Sequence, residues 1–144
     1  MRNNTHLSRI AHGFTLIELL VVLAILGLLA ALVGPNLMSK FSQAKTKAAK
    51  LQIEELSTNL DMYKLDVGRY PTTDEGLNAL IEAPGSAKVW NGPYLRKKSI
   101  PLDPWNNPYH YVVPGQHGQF DLWSLGADNG EGGSGEDADV TSWE

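Results

Sequence analysis

Between Phe14 and Val33 the chain carries 20 successive residues whose only charge is Glu18. At a rise of ~1.5 Å per residue, a helix of that length spans about 30 Å, the thickness of a bilayer's hydrocarbon core. The run is a local feature. Over all 144 residues the mean hydropathy is -0.22, so a membrane-length segment is joined to a single water-soluble domain.

Ahead of the apolar run, "MRNNTHLSRIAHG" holds Arg2 and Arg9 and no acid, like the basic start of an export signal. An ordinary secretory signal is cut after its apolar segment, where this chain has Gly34-Pro35, a poor place to cut. The alternative is a cut at Gly13, before the apolar run, which leaves the hydrophobic helix on the mature protein.

Gly13-Phe14-Thr15-Leu16-Ile17-Glu18 followed by an apolar helix resembles the class III signal of type IV pilins and pseudopilins. The resemblance implies that a membrane-embedded aspartyl prepilin peptidase cuts between Gly13 and Phe14 on the cytoplasmic side and then methylates the new amino terminus at Phe14. Four segments are expected: a cleaved leader over 1–13, a hydrophobic transmembrane or filament-core helix over 14–35, an amphipathic continuation over 36–67, and a globular periplasmic head over 68–144.

Glu18 is the informative residue. An ionised carboxylate near the end of a membrane helix is costly unless partnered, and no Lys, Arg or His lies between Phe14 and Val33. Cleavage before Phe14 creates a cationic amine four residues away, on the same chain or on a neighbour, and the pilin resemblance implies the neighbour. The residues alone also allow a Glu18 that sits hydrated among headgroups. Topology is divided in the same way. Lys40, Lys45, Lys47 and Lys50 after the apolar run outnumber Arg2 and Arg9 before it, which on a positive-inside count favours the opposite orientation. The leader resemblance implies a cytoplasmic amino terminus and an exported remainder.

Beyond Pro35 the helical period continues. Leu37, Phe41, Ala44, Ala48 and Leu51 recur at steps of four and three, and Ile53, Leu56, Leu60, Tyr63 and Val67 are read as the same stripe with a small shift. A helix from Phe14 to Val67 would be roughly 80 Å long. Gly34-Pro35 is expected to kink or locally unwind it, since proline removes a backbone hydrogen bond and crowds the preceding turn. The resemblance implies melting near Pro35 in assembled filaments, with the helix often kept in isolated subunits.

Gly68 and Pro71 end the helix. Thr72 and Glu75 have the spacing of a capping box, opening a short helix through Leu77, Leu80 and Ile81 that Pro84 stops. Prolines 93, 101, 104, 108 and 114 exclude a further long helix. "YHYVV" (109–113) and "QFDLWSL" (119–125) read as a hairpin, and "DVTSW" (139–143) as a short extra strand. The expected fold is therefore α+β, a long helix on a small antiparallel sheet.

A head of this size has a marginal core, and without cysteine it lacks the staple that exported domains commonly use. The C-terminal loop offers another. Asp128, Glu131, Glu136, Asp137, Asp139 and Glu144 stand among five glycines with no Lys or Arg, an all-oxygen environment suited to a hard cation such as calcium. It is not an EF-hand loop. On the residues alone, a solvated acidic tail is an equal reading.

The segments "LDMYKLDVGRYPTTDEGLNAL", "GPYL", "DPWNNPYHYVVPGQHGQFDLWSLGAD" and "DADVTSW" look like the G-type major pseudopilins of type II secretion, across essentially all of residues 13–144. Asn106 departs from that family's usual glycine in "DPWGNPY". The resemblance implies the type IV pilin-like fold and a calcium ion in the loop. Carried over residue by residue, its ligands are the side chains of Asp128, Asp137 and Asp139 and the carbonyls of Leu125 and Ser134. It implies a subunit that polymerises into a periplasmic filament and helps drive folded proteins through an outer-membrane secretin. The implied partners are other copies of itself, minor pseudopilins, an inner-membrane assembly platform and the prepilin peptidase, with the subunit held in the inner membrane before assembly.

Two other readings stand beside it. A type IV pilin of a surface fibre usually closes its C-terminal region with a disulfide, which this chain cannot do. A membrane-anchored periplasmic enzyme would need His110 or His117 gathered with a carboxylate and a nucleophile, yet the chain shows no Gly-x-Ser-x-Gly elbow and no P-loop. Both histidines are expected to be structural, and Trp90, Trp105, Trp123 and Trp143 to fill the core or subunit contacts. The formal charge of -4, two units more negative once Arg2 and Arg9 leave, disfavours nucleic acid as a partner.

Overall fold

The computed structural model describes residues 13–144, so most of the expected leader, with Arg2 and Arg9, lies outside the described residues. The chain divides into two compact units, a stem ending at Met38 and a head running from Ser39 to Glu144. Helix α1 (Leu16–Val67, 52 residues) contributes to both.

In the stem, every side chain from Phe14 to Val33 is exposed. Among the described residues α1 is the one helix long and apolar enough to cross a membrane. Its helical assignment continues through Gly34 and Pro35, so the local unwinding expected there is not seen in the isolated chain. A proline deletes one hydrogen bond, and a helix this long keeps the bonds on either side.

The head is built on one face of α1. Ala49, Ile53, Leu56, Leu60 and Tyr63, at steps of four and three, are buried against Leu77, Leu80, Leu95, Tyr109, Tyr111, Leu122 and Val140. This corrects the single shifted stripe read from the sequence. Leu37, Phe41 and Leu51 are exposed, because Leu51 and Ile53 lie about 200° apart round the helix and so occupy different faces. Gly68, at φ +87°, closes α1 by donating its N–H to the Lys64 carbonyl at 2.8 Å, a conformation that glycine adopts without a Cβ clash.

The sheet follows as β1 (His110–Val112), β2 (Asp121–Ser124) and β3 (Val140–Thr141), in the order β1-β2-β3 with both pairs antiparallel. The register sets Tyr111 opposite Leu122 and Ser124 opposite Val140, and these residues form the buried face. The strands are shorter than the sequence reading, but their pairing is the expected hairpin plus a C-terminal strand. None of the tryptophans is among the fully buried core residues. Trp90 and Trp105 are half-buried at the core's rim, and Tyr63, Tyr109 and Tyr111 are its buried aromatics.

The short helix expected after Thr72 is a four-residue 3-10 turn, Leu77–Leu80. The capping box nevertheless forms, with the Thr72 N–H donating to Glu75 at 2.8 Å and the Glu75 N–H donating to the Thr72 hydroxyl at 3.2 Å. Glu75 also receives both arms of the Arg69 guanidinium at 2.7 and 2.8 Å. Those bonds, opposed by burial and helped by Ser86 and the Thr72 N–H, pull the Glu75 carboxyl from 4.5 down to about 2. A carboxyl lowered on folding stabilises the fold above its unfolded value and loses that contribution as pH falls through the folded one. Acid unfolding between about pH 4.5 and 2 is therefore expected to be blunted in Glu75→Gln. Because Arg69 is more than a third exposed and screened, the difference should be on the order of 1 kcal/mol; identical acid titrations of the two proteins would disprove it.

Asn106 sits at φ +70°, where glycine is the easy choice and asparagine one of the few tolerated alternatives. The departure from the family's usual residue thus keeps the turn.

Candidate assembly and cation-binding sites

The bond between Gly13 and Phe14 lies in exposed, non-helical chain just before α1 begins, a conformation open to a peptidase. Glu18 has a partner within its own chain. Its carboxylate accepts the Thr15 N–H at 2.8 Å and the Thr15 hydroxyl at 3.0 Å, while the Glu18 N–H donates to that hydroxyl at 3.3 Å. Thr15 is therefore the helix cap and Glu18 its reciprocal partner, which satisfies donors that lipid would leave bare. The sequence reading used the Thr-x-x-Glu signal at Thr72 and overlooked the same signal at Thr15.

The acidic loop is shaped by backbone contacts. Ala127 donates its N–H to the Glu136 carbonyl at 2.8 Å, and Asp139 donates to that of Gly132 at 3.2 Å. Gly126, at φ +70°, brings the chain so close that an added Cβ would lie 2.7 Å from the Glu136 oxygen and 2.9 Å from that of Ala138. A buried network anchors the loop's entry. Asp103, 3% exposed, accepts the N–H groups of Trp105 at 2.9 Å and Asn107 at 2.8 Å and the hydroxyl of Ser124, which is 0% exposed. Ser124 in turn accepts the Gly126 N–H at 3.2 Å, and the Asn107 side-chain amide donates to the Gly126 carbonyl at 2.9 Å. Sequence reading missed Asp103 and Ser124, which are polar residues in a segment read only as turn and strand.

Of the residues expected to hold calcium, Asp128, Ser134 and Asp137 are exposed, and Leu125 and Asp139 are half-buried. Asp128 accepts the Gly130 N–H at 3.0 Å and Asp139 the Gly132 N–H at 3.1 Å, each with one carboxylate oxygen. The Ser134 carbonyl accepts the Asp137 N–H at 3.2 Å. The second oxygen of Asp139 is buried without a hydrogen-bond partner, and so is the hydroxyl of Thr141, which sequence reading did not select. Among the described residues no three acidic or histidine side chains gather into a metal-holding group. The donor chemistry, all oxygen with an orphaned carboxylate oxygen, fits a hard cation.

His110 and His117 both stack on tryptophans at the outer side of the sheet region. His110 stacks on Trp123 at 5.3 Å and His117 on Trp143 at 4.1 Å. Asp121 accepts the N–H groups of Gln116 at 2.8 Å and His117 at 3.2 Å and lies 3.1 Å from His117 Nδ1, so this carboxylate holds the hairpin loop. Burial raises the Asp121 carboxyl, but the hydrogen bonds from Gln116 and His117 outweigh it and leave the group below its ordinary value.

An apolar-headed helix with a small sheet packed on its polar half is the architecture of a pseudopilin. The crystal structure of the major pseudopilin from the type 2 secretion system of enterohaemorrhagic Escherichia coli is similar, with a TM-score of 0.63 and 33% identity, covering 76% of this chain and 95% of that one. Residues 36–143 match the family model described as type II secretion system (T2SS), protein G, and residues 8–34 match the prokaryotic N-terminal methylation motif. The type II secretion system core protein G of Pseudomonas aeruginosa is 54% identical over 136 residues, 92% of this chain and 94% of its own. That of Vibrio cholerae is 46% identical over 134 residues, 91% of this chain and 90% of its own. The chain belongs to the type II secretion system protein G family.

Proposed function

We propose that this chain is the major structural subunit of a type II secretion pseudopilus. The observation that carries the reading is the stem, whose apolar side chains from Phe14 to Val33 find no cover in their own chain. Such a surface needs lipid before assembly and other stems after it. In this reading prepilin peptidase cuts between Gly13 and Phe14 and methylates Phe14. The head faces the periplasm, and copies extracted from the inner membrane by an assembly platform, together with minor pseudopilins, build a filament that helps move folded proteins through the secretin. Glu18 enters the membrane satisfied by Thr15 and exchanges that local partner for the amine of a neighbouring Phe14 on assembly. Pro35 supplies the point at which the helix yields. The role is mechanical, with no reaction assigned to the chain.

Deleting the gene should trap folded exoproteins in the periplasm. The wild-type chain should restore secretion, and Glu18→Ala should restore far less of it; normal secretion in the deletion strain would end the proposal.

Calcium belongs to the same proposal. Asp128, Asp137 and Asp139, with the carbonyls of Leu125 and Ser134, would hold the ion, and the free oxygen of Asp139 supports this. Bound there, the ion would neutralise acids that otherwise repel and so order the loop. Chelation is expected to lower the melting temperature of the wild-type chain by several degrees, the equivalent of about 1–2 kcal/mol, and to leave Asp139→Ala unmoved. A wild-type melt indifferent to chelator would remove the metal.

A further inference from the structure

Four lysines take no part in the function proposed above. Between Pro35 and Ile53 the chain carries Lys40, Lys45, Lys47 and Lys50 and no acid. In the proposed topology all of them lie on the translocated side, against the usual bias of basic residues beside a membrane span. All are exposed, and the ion pairs among the described residues are Arg69–Glu75 and His117–Asp121, so their own chain neutralises none of them.

Their placement on α1 is ordered. At ~100° per residue, Phe41, Ala44, Ala48 and Leu51 form one apolar stripe, with Lys40 and Lys47 along one edge, Lys45 along the other and Lys50 beyond Lys47. The head leaves this stripe open. Phe41 is 62% exposed and Leu51 56%, while the buried face through Ala49 and Leu56 is turned about 120° away. Glu54 and Glu55 end the stripe, with Glu55 falling between the lines of Ala44 and Ala48.

An apolar stripe edged by lysines is the pattern of a helix lying in a membrane interface, its apolar side down, lysine stems over the acyl boundary and ammonium groups among lipid phosphates. The chain supplies the membrane, because Lys40 follows Val33, the end of the membrane-length run, by about two helical turns.

We propose that before assembly the basic stretch of α1 from Lys40 to Leu51 docks on the anionic lipid surface of the membrane that holds the stem, parking the head against the bilayer. The proposal rests on the membrane anchoring of the stem in the reading above. A helix lying on the surface must leave the axis of the span, and Gly34-Pro35, where proline removes a helical hydrogen bond, supplies the bend. Charge selects the lipid. Each lysine near an anionic surface adds attraction, whereas a zwitterionic surface offers only the small apolar area of Phe41 and Leu51. The acids that begin at Glu54 are repelled and set the far limit of the contact. Lifting the head off the bilayer then becomes a step that precedes incorporation into a filament.

The chain has no cysteine, so single cysteines report the contact. Full-length protein carrying Ala44→Cys in the stripe, Gln43→Cys beside it or Thr58→Cys beyond Glu55 is reconstituted at a low protein-to-lipid ratio into vesicles of phosphatidylethanolamine, with or without phosphatidylglycerol. A membrane-impermeant maleimide then labels the heads that face outward. Phosphatidylglycerol should slow labelling of Ala44→Cys about tenfold and leave the other two unchanged; raised salt, or Lys40→Gln, Lys45→Gln and Lys47→Gln together, should abolish the slowing. Labelling of Ala44→Cys that is the same in both lipids, or slowing that survives the lysine substitutions, overturns the proposal. Slowing that follows the protein-to-lipid ratio overturns it too, since another protein copy would then cover the stripe. Leu23→Cys tests the stem. Shielded there while Ala44→Cys stays open in both lipids, the protein refutes the surface contact alone; labelled there as fast as Thr58→Cys, it refutes the membrane-anchored pseudopilus reading as well.

Discussion

Asp103→Ala is expected to destabilise the head by about 3 kcal/mol, a substantial fraction of the roughly 5–15 kcal/mol that holds a typical domain together. The carboxylate occupies a site from which water is excluded, and three donors converge on it: the N–H groups of Trp105 and Asn107 and the Ser124 hydroxyl. Alanine leaves all three buried and unpaired, at about 1 kcal/mol or more each. It also frees the Pro104–Asn107 turn from β2, so Gly126 loses the framework that holds it through Ser124 and Asn107. Asp103→Asn keeps an acceptor for the two N–H groups and should cost about half as much. Urea unfolding of the detergent-solubilised full chain, followed by tryptophan fluorescence, measures both variants. Alanine and asparagine variants with the wild-type midpoint would show that the network is ornamental.

The second large effect falls on Gly126→Ala. Its φ of +70° strains any L side chain, and the added Cβ meets the carbonyl oxygens of Glu136 and Ala138 at 2.7 and 2.9 Å. Those atoms are backbone, so no rotamer change relieves the overlap. The loop must open, breaking the hydrogen bond from Ala127 to Glu136, and a loss of about 2–4 kcal/mol is expected. Gly132→Ala is the matched control. It has a similar φ, +87°, but nothing within 4 Å of the added carbon, and it should cost only the strain, about 1 kcal/mol. Hydrogen exchange at the Ala127 amide reads the difference directly. Equal protection in the two variants would mean that the close approach at Gly126 does not close the loop.

Much of the architecture was legible because it rests on local rules. The 3.6-residue period marked α1 over most of its length, Gly68 marked its end, and alternation with turn residues marked the hairpin and β3. The failures have physical causes. Two stripes offset by a couple of residues looked continuous along the chain, although they point to different sides of the helix. At Pro35 a kink or local unwinding was expected, and the helix runs on through it in the isolated chain, since a long helix absorbs one missing bond. The tryptophans were expected in the core or in subunit contacts; Trp90 and Trp105 pack against the core, while the sheet register turns Trp123 outward to stack on His110 and tyrosines fill the interior.

By itself the sequence determined that this protein has an apolar stem with a single early acid, a cysteine-free head and an acidic loop, because length, charge and period are properties of the chain taken in order. Only the tertiary structure decided which helix face is covered, that Asp103 and Ser124 tie the turn to the loop, and that one oxygen of Asp139 is left without a partner. Those depend on residues far apart in sequence meeting in a space closed to water, where a polar atom's cost is set by its neighbours and not by its own identity.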